Sequence, residues 1–415
     1  MTILNTFRAL DRDKRRNFSL LFSIGLLFWT SLTSLLPILP VYIEDIGGTT
    51  TQIGLVMGSF AIGLIGSRTW LGYLADGHSR KLVVRIGMLI TALAPIGYLL
   101  VKSVYLLIAI RTFHGISLAA FTTGYSALIT DLSPIKQRGK LIGYMSLGAP
   151  VGMAVGPAMG TFLKEYQGYQ LFFLISAGIG FWGYLLASQI RENPRHRDIN
   201  VNSTISEVPP RNFKQLLSSP SILVPTIVLL LIGLVFGTLI VFLPLFLRET
   251  AFGLSPGLFY TTVAVASFIV RVISGQASDR YGRGLFITIS LVSYVVSMGF
   301  LTKAQSARDL LLGAIFEGIG AGMLIPMMIS LISDRSFPSE RGLVYSVCMG
   351  GFDLGLAIAG PILGILGQTI SYRSMFALAG SLAIIAMILF ISQSNKSLKH
   401  SLSFALGQER DLYSL

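Results

Sequence analysis

The chain is poor in charged residues and in cysteine. Of its 415 residues 12% are charged, about half the share found in soluble globular proteins. The single cysteine, Cys348, excludes an internal disulfide, and its place in an apolar run indicates a small buried packing residue. Four histidines and one cysteine are too few for a clustered metal site. Since the phosphate-binding pattern G-x4-G-K-[ST] is also absent from the sequence, we expect no enzyme, no ATP-driven pump, no metal and no cofactor.

Apolar residues dominate the composition instead. They make up 53% of the chain, and the mean hydropathy is +0.71. Runs of about 20 or more apolar residues between short charged loops are typical of membrane-crossing helices. Twelve such runs predict an all-α integral membrane protein with twelve transmembrane helices. They lie near 18–42, 52–75, 82–101, 104–129, 140–163, 169–190, 221–247, 256–277, 285–303, 307–332, 341–366 and 371–392.

Positive charge is distributed unevenly around these runs. A net charge of +13 would suit a nucleic-acid binder, but Lys and Arg concentrate in the loops on one side, which is the positive-inside bias of membrane proteins. We therefore expect both termini in the cytoplasm, a location in the plasma membrane, and no nucleic-acid partner. The basic residues in loops on the other side are Lys102, Lys164, Arg248, Lys303, Arg308 and Arg373.

The two halves of the chain repeat each other at a nearly constant offset, which is 203 for most matched positions. "GYLADGHSRK" at 72–81 matches "GQASDRYGRG" at 275–284, and Gly156–Pro157 matches Gly360–Pro361 at an offset of 204. A register held within one residue over six runs predicts a duplicated six-helix bundle. The predicted parts are a cytoplasmic segment 1–17, bundles at 18–190 and 220–392, a polar cytoplasmic linker 191–219, and a poorly ordered polar cytoplasmic tail 393–415.

Three charged motifs resemble those of the major facilitator superfamily, and the resemblance covers residues 15–395. Two are loops, Gly72-x3-Asp76-x3-Arg80-Lys81 and Gly275-x3-Asp279-Arg280-x-Gly282-Arg283, and the third is Arg111-x2-His114-Gly115. The first loop departs from the family pattern, since Gly77 replaces a usual basic residue and Ser79 a usual glycine. The resemblance implies two bundles that rock about a central cleft and expose it to either side in turn.

The same resemblance implies that the loop carboxylates hold the cytoplasmic side shut. Asp76 would pair with the helix start near Arg341 and Gly342, and Asp279 with the one near Arg138 and Gly139, because a helix N-terminus and an arginine both attract a carboxylate. Charges that serve topology alone are the alternative. The predicted gate residues are Gly72, Asp76, Arg80, Lys81, Asp131, Arg138, Gly275, Asp279, Arg280, Arg283, Asp334 and Arg341.

Glycines recur every four residues in "GYMSLGAPVGMAVGPAMGTF", residues 143–162. The stretch resembles the family's antiporter motif, which implies export by proton exchange, although Thr161 stands where a second glycine is common. Small residues let helices approach closely in lipid, so we expect this face to pack against a helix of the other half. Ordinary close packing without a role in coupling is the alternative. The motif and its counterpart comprise Gly143, Gly152, Gly156, Pro157, Gly160, Gly360, Pro361 and Gly364.

Ionisable residues are few inside the apolar runs, where they are costly unless they face a cavity, a partner or a proton path. Arg111 and His114 share a helix face. Glu317 is the counterpart of His114 in the repeat, so we expect it to face them across the cleft. An apolar setting favours the neutral acid and a nearby arginine favours the carboxylate, so motion would load and release a proton. Asp353 is a second candidate carrier, and it also forms a predicted interdomain pair with Arg68.

The sequence therefore predicts a monomeric secondary transporter in a lipid bilayer, with protons and a small-molecule substrate as its partners. Export of a lipophilic or amphipathic compound by proton antiport is the main hypothesis. Symport or uniport of a sugar or other nutrient stays open, as does a sensor or scaffold that binds without transport. A static ion pair or a clamp on a charged substrate stays open for the buried charges. The candidate substrate-lining residues, of a kind that more often packs than contacts a ligand, are Trp29, Phe113, Tyr125 and Tyr260.

Overall fold

The computed structural model describes residues 11–134, 138–191, 213–250, 252–337 and 340–414, without the side chains of residues 138–140, 213, 214, 276 and 279. Every regular element in these ranges is a helix, which confirms the all-α prediction. Most of the predicted segment 1–17 and linker 191–219 lies outside the described residues. The helices are α1 (Arg12–Ser34), α2 (Leu39–Asp45), α3 (Thr50–Gly77), α4 (Arg80–Leu100), α5 (Val104–Leu132), α6 (Arg138–Ser146), α7 (Gly148–Ser188), α8 (Phe213–Ser218), α9 (Pro220–Glu249), α10 (Pro256–Tyr281), α11 (Arg283–Lys303), α12 (Ala307–Asp334), α13 (Arg341–Leu366), α14 (Tyr372–Gln393) and α15 (Leu398–Ala405).

Eleven stretches within the described residues are long and apolar enough to cross a membrane. The longest, Leu141–Ser188, has 48 residues and covers both the fifth and the sixth predicted runs. It is interrupted at Gly168, whose φ of 76° and ψ of −179° are not helical. Glycine adopts a positive φ without steric cost, so the chain changes direction there. Each of the two parts is long enough to cross a bilayer, which accounts for eleven stretches where the sequence predicts twelve.

The first membrane-crossing helix differs from its prediction at both ends. It begins at Arg12 instead of residue 18 and ends at Ser34. Pro37 has no backbone N–H and cannot continue the hydrogen bonds of α1, and the chain turns there before α2 starts with a proline in its first turn. The hydroxyl of Tyr42 in α2 donates to the carbonyl of Tyr98, 2.8 Å away, and this bond ties the short helix to α4.

Two compact units make up the chain. The first comprises residues 1–192, 240–264 and 360–370, and the second comprises residues 193–239, 265–359 and 371–415. The end of α9, the start of α10 and the end of α13 thus pack with the six runs of the first half. The predicted six-plus-six division at the linker stays a prediction.

The glycine stripe of α7 packs against α1 of the same half, so the predicted partner in the other half is wrong. A Cβ atom on Gly152 would lie 2.9 Å from the carbonyl oxygen of Leu26, and one on Gly156 would lie 2.6 Å from that of Thr30. The hydroxyl of Thr33 donates to the carbonyl of Gly152 at 3.2 Å. Small residues four positions apart predict that another helix approaches closely, but they do not predict which helix. Here it is α1 of the same half, whose facing side chains are small and polar.

We expect Gly156→Ala to lower the melting temperature of the detergent-purified protein, because the added methyl group collides with α1 backbone. Overpacking of this kind costs about 1–3 kcal/mol. Gly143→Ala is the matched control, since no heavy atom lies within 4 Å of its added Cβ and alanine favours a helix. Equal melting temperatures for the two variants would contradict the close α1–α7 contact.

The residues after α14 fold back onto the second unit, so the prediction of a poorly ordered tail is wrong. Their anchor is Arg335, which follows α12 and is almost fully buried. Its Nε and Nη2 atoms donate to both carboxylate oxygens of Asp411, at 2.7 and 3.1 Å. The guanidinium also donates to the carbonyls of Ser221 and Ser394, at 2.8 and 2.7 Å, and Phe404 of α15 is buried beside it. The polar tail residues that suggested disorder are the ones that neutralise this cation.

Replacing Asp411 by Asn is expected to destabilise the second unit strongly, because it leaves a buried cation without its counter-charge. The loss is about 3–5 kcal/mol, measured as a fall in melting temperature. Glu409→Gln removes a carboxylate nearby in the tail whose bond to His400 is partly exposed, so its effect is below about 1 kcal/mol. A tail that contributes nothing to the fold would leave both variants at the wild-type melting temperature.

Candidate functional site

In the first unit, Arg80 joins the loop between α3 and α4 to the end of α5. Its guanidinium forms an ion pair with Asp131 and donates to the carbonyl of Ala127 at 2.7 Å. Asp76, one turn earlier, lies 3.8 Å from the same guanidinium. The arginine side chain is only 16% exposed, so its planar fork is held between three helices.

The second unit repeats this arrangement with the equivalent residues of the other half. Arg283 at the start of α11 forms an ion pair with Asp334 at the end of α12 and donates to the carbonyl of Ser330. Each of these residues is the counterpart of Arg80, Asp131 or Ala127 at the offset read from the sequence. The sequence repeat identified these residues as candidates. It did not predict that Arg80 pairs with Asp131, or Arg283 with Asp334, inside the same half.

The other predicted gate residues are placed but not brought together. The bonds predicted from Asp76 and Asp279 to helix starts of the other half join the two units and stay predictions. The side chains of Arg138 and Asp279 lie outside the described residues. Of the rest, Gly72 and Gly275 have open space beside them, Lys81 is half-buried, Arg280 lies over the ring of Tyr281 at 5.4 Å, and Arg341 is exposed.

An ion-pair cluster that the sequence analysis missed lies at the opposite end of α3. Arg248 at the end of α9 donates to Asp45 at 2.5 Å and to Glu44 at 3.0 Å. The hydroxyl of Tyr169 donates to the other oxygen of Asp45 at 2.5 Å, and the ammonium of Lys164 lies 5.6 Å from the centre of the Tyr169 ring. A signal was present in the sequence, since Arg248 is the counterpart of Asp45 in the repeat and carries the opposite charge.

Two close backbone approaches accompany this cluster. A Cβ atom on Gly360 of α13 would collide with the carbonyl of Gly54 in α3, and one on Gly257 of α10 would lie 2.8 Å from the carbonyl of Pro157 in α7. The main repeat offset carries Gly54 onto Gly257. Neither Gly360 nor Gly257 could be replaced by a larger residue without a collision.

A cavity of about 400 Å³ adjoins the cluster. Its walls are mainly apolar, with Ile38, Val41 and Leu247 among them, and Arg248, Lys164 and Glu165 contribute charge. The hydroxyl of Thr161, which also lines the cavity, is buried and has no hydrogen-bond partner among the described residues.

Arg111 and His114 form a buried cluster inside the first unit, as their shared helix face predicts. Arg111 is 4% exposed, stacks on the ring of Phe60 at 4.5 Å and has an Nη1 atom 3.4 Å from Nδ1 of His114. The hydroxyl of Tyr98 is 3.1 Å from the same Nδ1. A guanidinium only donates, so Nδ1 accepts and the imidazole is neutral with its proton on Nε2. No carboxylate pairs with Arg111 in the described part of the chain.

Glu317 lies in the second unit, in the middle of α12. It is 1% exposed, and neither carboxylate oxygen has a hydrogen-bond partner in the described ranges. The ring of Tyr294 packs one turn away, 2.9 Å from where a Cβ atom on Gly320 would be. Because Arg111 and Glu317 belong to different units, their predicted meeting across a cleft stays a prediction.

The remaining candidates stay predictions as well. Arg68 is half-buried in the first unit and Asp353 is buried in the second, so their predicted pair joins the two units. The hydroxyl of Tyr125 donates to backbone carbonyls of Leu21 and Met145. Of the other candidate lining residues, Trp29 and Tyr260 are half-buried and Phe113 is exposed.

Duplicated membrane-crossing helices, loop arginines paired at each repeat and isolated ionisable groups within the helices define a membrane transporter. The model of the Major Facilitator Superfamily matches residues 21–307 and 257–408. The chain belongs to this family, and it is a multi-pass membrane protein that transports a small molecule.

Two relatives and one solved structure show what the chain is similar to. It is 24% identical to the staphylopine export protein of Staphylococcus aureus (strain Mu50 / ATCC 700699), over 90% of this chain and 94% of the relative. It is 26% identical to the quinolone resistance protein NorA of Staphylococcus aureus (strain MSSA476), over 92% and 98%. The crystal structure of the nucleoside transporter NupG shares the fold, with a TM-score of 0.76 at 14% identity over 91% of this chain and 99% of that one.

Arg248→Gln is expected to loosen the cavity beside the ion-pair cluster. The measurement is the rate at which a thiol reagent labels Thr161→Cys in a Cys348→Ser background. Loss of two partly exposed ion pairs costs on the order of 1 kcal/mol, so labelling should accelerate about fivefold. Arg308→Gln, which removes an exposed arginine that has no ion pair in the described ranges, should leave the rate unchanged. If both variants label at the wild-type rate, the cluster does not restrain the cavity.

Proposed function

We propose that this transporter exports a small lipophilic or amphipathic compound in exchange for protons. We further propose that it acts as a monomer in the plasma membrane with both termini in the cytoplasm. The names of the two relatives, an export protein and a quinolone resistance protein, support export. The observation that carries proton exchange is the isolation of Glu317.

An ionised carboxylate in an apolar interior costs several kcal/mol unless hydrogen bonds or a cation compensate it, whereas the neutral acid costs far less. Glu317 has neither compensation among the described residues of its unit. It therefore holds a proton in this conformation and releases it when water or a cation reaches it. A group whose proton affinity changes with conformation is what antiport requires.

Arg111 is the cation suited to that exchange. It is buried without a carboxylate partner in the described part of the first unit, and it stands one turn from His114, the counterpart of Glu317 in the repeat. Its approach favours the carboxylate and expels the proton, and its withdrawal favours reloading. Asp353 is the second acidic group inside the membrane and the alternative carrier.

The cluster of Arg248, Asp45, Glu44 and Tyr169 suits a gate. In the proposed orientation it lies on the outer side, where the two backbone approaches at Gly54 and Gly257 leave little room for a solute. The predicted bonds of Asp76 and Asp279 would close the cytoplasmic side in the alternate conformation. Opening the outer side then requires the ion pairs of Arg248 to separate.

The test uses liposomes with an acidic lumen and a trapped pH dye, to which lipophilic cations, neutral drugs, sugars and organic acids are added in turn. A transported compound should trigger proton efflux in the wild type. Glu317→Gln should reduce that efflux to the level of protein-free liposomes, because the amide cannot exchange a proton. Glu409→Gln is the matched control, since Glu409 is an exposed carboxyl group outside the membrane-crossing helices and its variant should exchange normally.

Three results would contradict parts of the proposal. Radiolabelled compound that crosses without a proton signal indicates uniport or another ion. Full proton efflux in Glu317→Gln and its loss in Asp353→Asn assign the proton to Asp353. Saturable binding without any flux, in a protein that remains folded, indicates a sensor.

A further inference from the structure

Four arginines surround one cleft between the start of α1 and the end of α7. Arg12, Arg15 and Arg16 lie on the first turns of α1, Arg191 follows α7, and with Asp13 they line a cavity of about 710 Å³. Asp13 is the only carboxylate among the described lining residues, and Arg191 already bonds it at 3.1 Å. The other three arginines form no ion pair within the described residues. The lining therefore carries an excess of positive charge.

The frame of the cleft is fixed by Asn17, which is buried. Its side chain donates to the carbonyl of Arg191 at 2.9 Å and accepts from the N–H of Arg191 at 3.2 Å. These two bonds hold the start of α1 against the end of α7. Arg12, Arg15 and Arg16 are three and four residues apart on one helix face, where like charges repel. An anion between them would relieve this repulsion.

The equivalent place in the second half is neutral and is filled by the chain itself. The carbonyl of Ser394 there receives the guanidinium of Arg335, which the tail residue Asp411 neutralises. The predicted topology puts both places in the cytoplasm, so the positive-inside bias applies equally to each. The counterparts of Arg12, Arg15, Arg16 and Arg191 at the main repeat offset are Gln215, Ser218, Ser219 and Ser394.

We propose that the arginine cleft of α1 and α7 binds a phosphate group, either of an anionic lipid headgroup or free in solution. Guanidinium groups match phosphate oxygens in charge and in planar two-point geometry. The fully buried Phe18 follows Asn17 directly, so the arginines stand where α1 enters its apolar part. That level is the one at which headgroup phosphates lie, and basic residues there attract anionic lipid.

The test measures binding of three probes to the purified full chain in neutral detergent: short-chain phosphatidylglycerol, short-chain phosphatidylcholine and inorganic phosphate. A triple variant, Arg12→Gln, Arg15→Gln and Arg16→Gln, removes the unpaired charges. Each arginine near a membrane surface changes affinity roughly fivefold, so the triple variant should bind about 100-fold more weakly. The control carries Lys396→Gln, Lys399→Gln and Arg410→Gln, which remove the same net charge from the tail and should leave affinity unchanged.

Phosphatidylglycerol binding that is lost only in the cleft variant supports the site with a lipid as its source. Inorganic phosphate binding that is lost in the same way, without preference for phosphatidylglycerol over phosphatidylcholine, supports a site for free phosphate. Equal affinity of the cleft variant and the tail variant for all three probes overturns the proposal. If the triple variant does not fold, Arg15→Gln alone should still weaken binding about fivefold, and an unchanged affinity would be equally decisive.

Discussion

A bilayer gives a buried charge no partner, so the protein has to supply one or leave the group neutral. Arg80 and Arg283 meet aspartates at helix ends, Arg248 meets two acidic residues at another end, and Arg335 meets Asp411 deep in the second unit. Arg111 and Glu317 differ from these residues, because neither forms an ion pair within the described residues. In the proposed function each group reaches a counter-charge in another conformation, and that dependence would link proton binding to motion.

Close backbone approach is the second constraint, and it explains where glycine is required. In lipid, helices associate through contact and not through exclusion of water. Gly152 and Gly156 bring α7 against α1 within the first half, whereas Gly54, Gly257 and Gly360 bring segments of the second half against the first. The first contact lies within one half, and in the proposed function alternating access would separate the second. On that proposal the same residue type would serve both permanent and reversible packing.

The sequence predicted the membrane class and the all-α fold, because hydropathy is visible along one chain, and its constant offset pointed to residues such as Arg80 and Arg283 that the structure places in equivalent ion pairs. It could not predict which helix the glycines of α7 meet, since a small-residue stripe fits any small face. The tail was misjudged for a related reason. Polar residues such as Asp411 normally indicate exposure to solvent. The sequence does not show that Arg335 is buried and requires a carboxylate. The pair of Asp45 and Arg248 could have been predicted, because the repeat offset places opposite charges at these matching positions.

The bond between Arg335 and Asp411 also has a consequence for the order of synthesis. All six membrane-crossing helices of the second half are synthesised before residue 411, so Arg335 remains without its carboxylate until after they are made. Termination between these helices and residue 411 would yield a chain with an unmatched cation in its interior. Such a chain would be open to proteolysis at the membrane surface, so the folding of the second unit depends on a residue made after its helices.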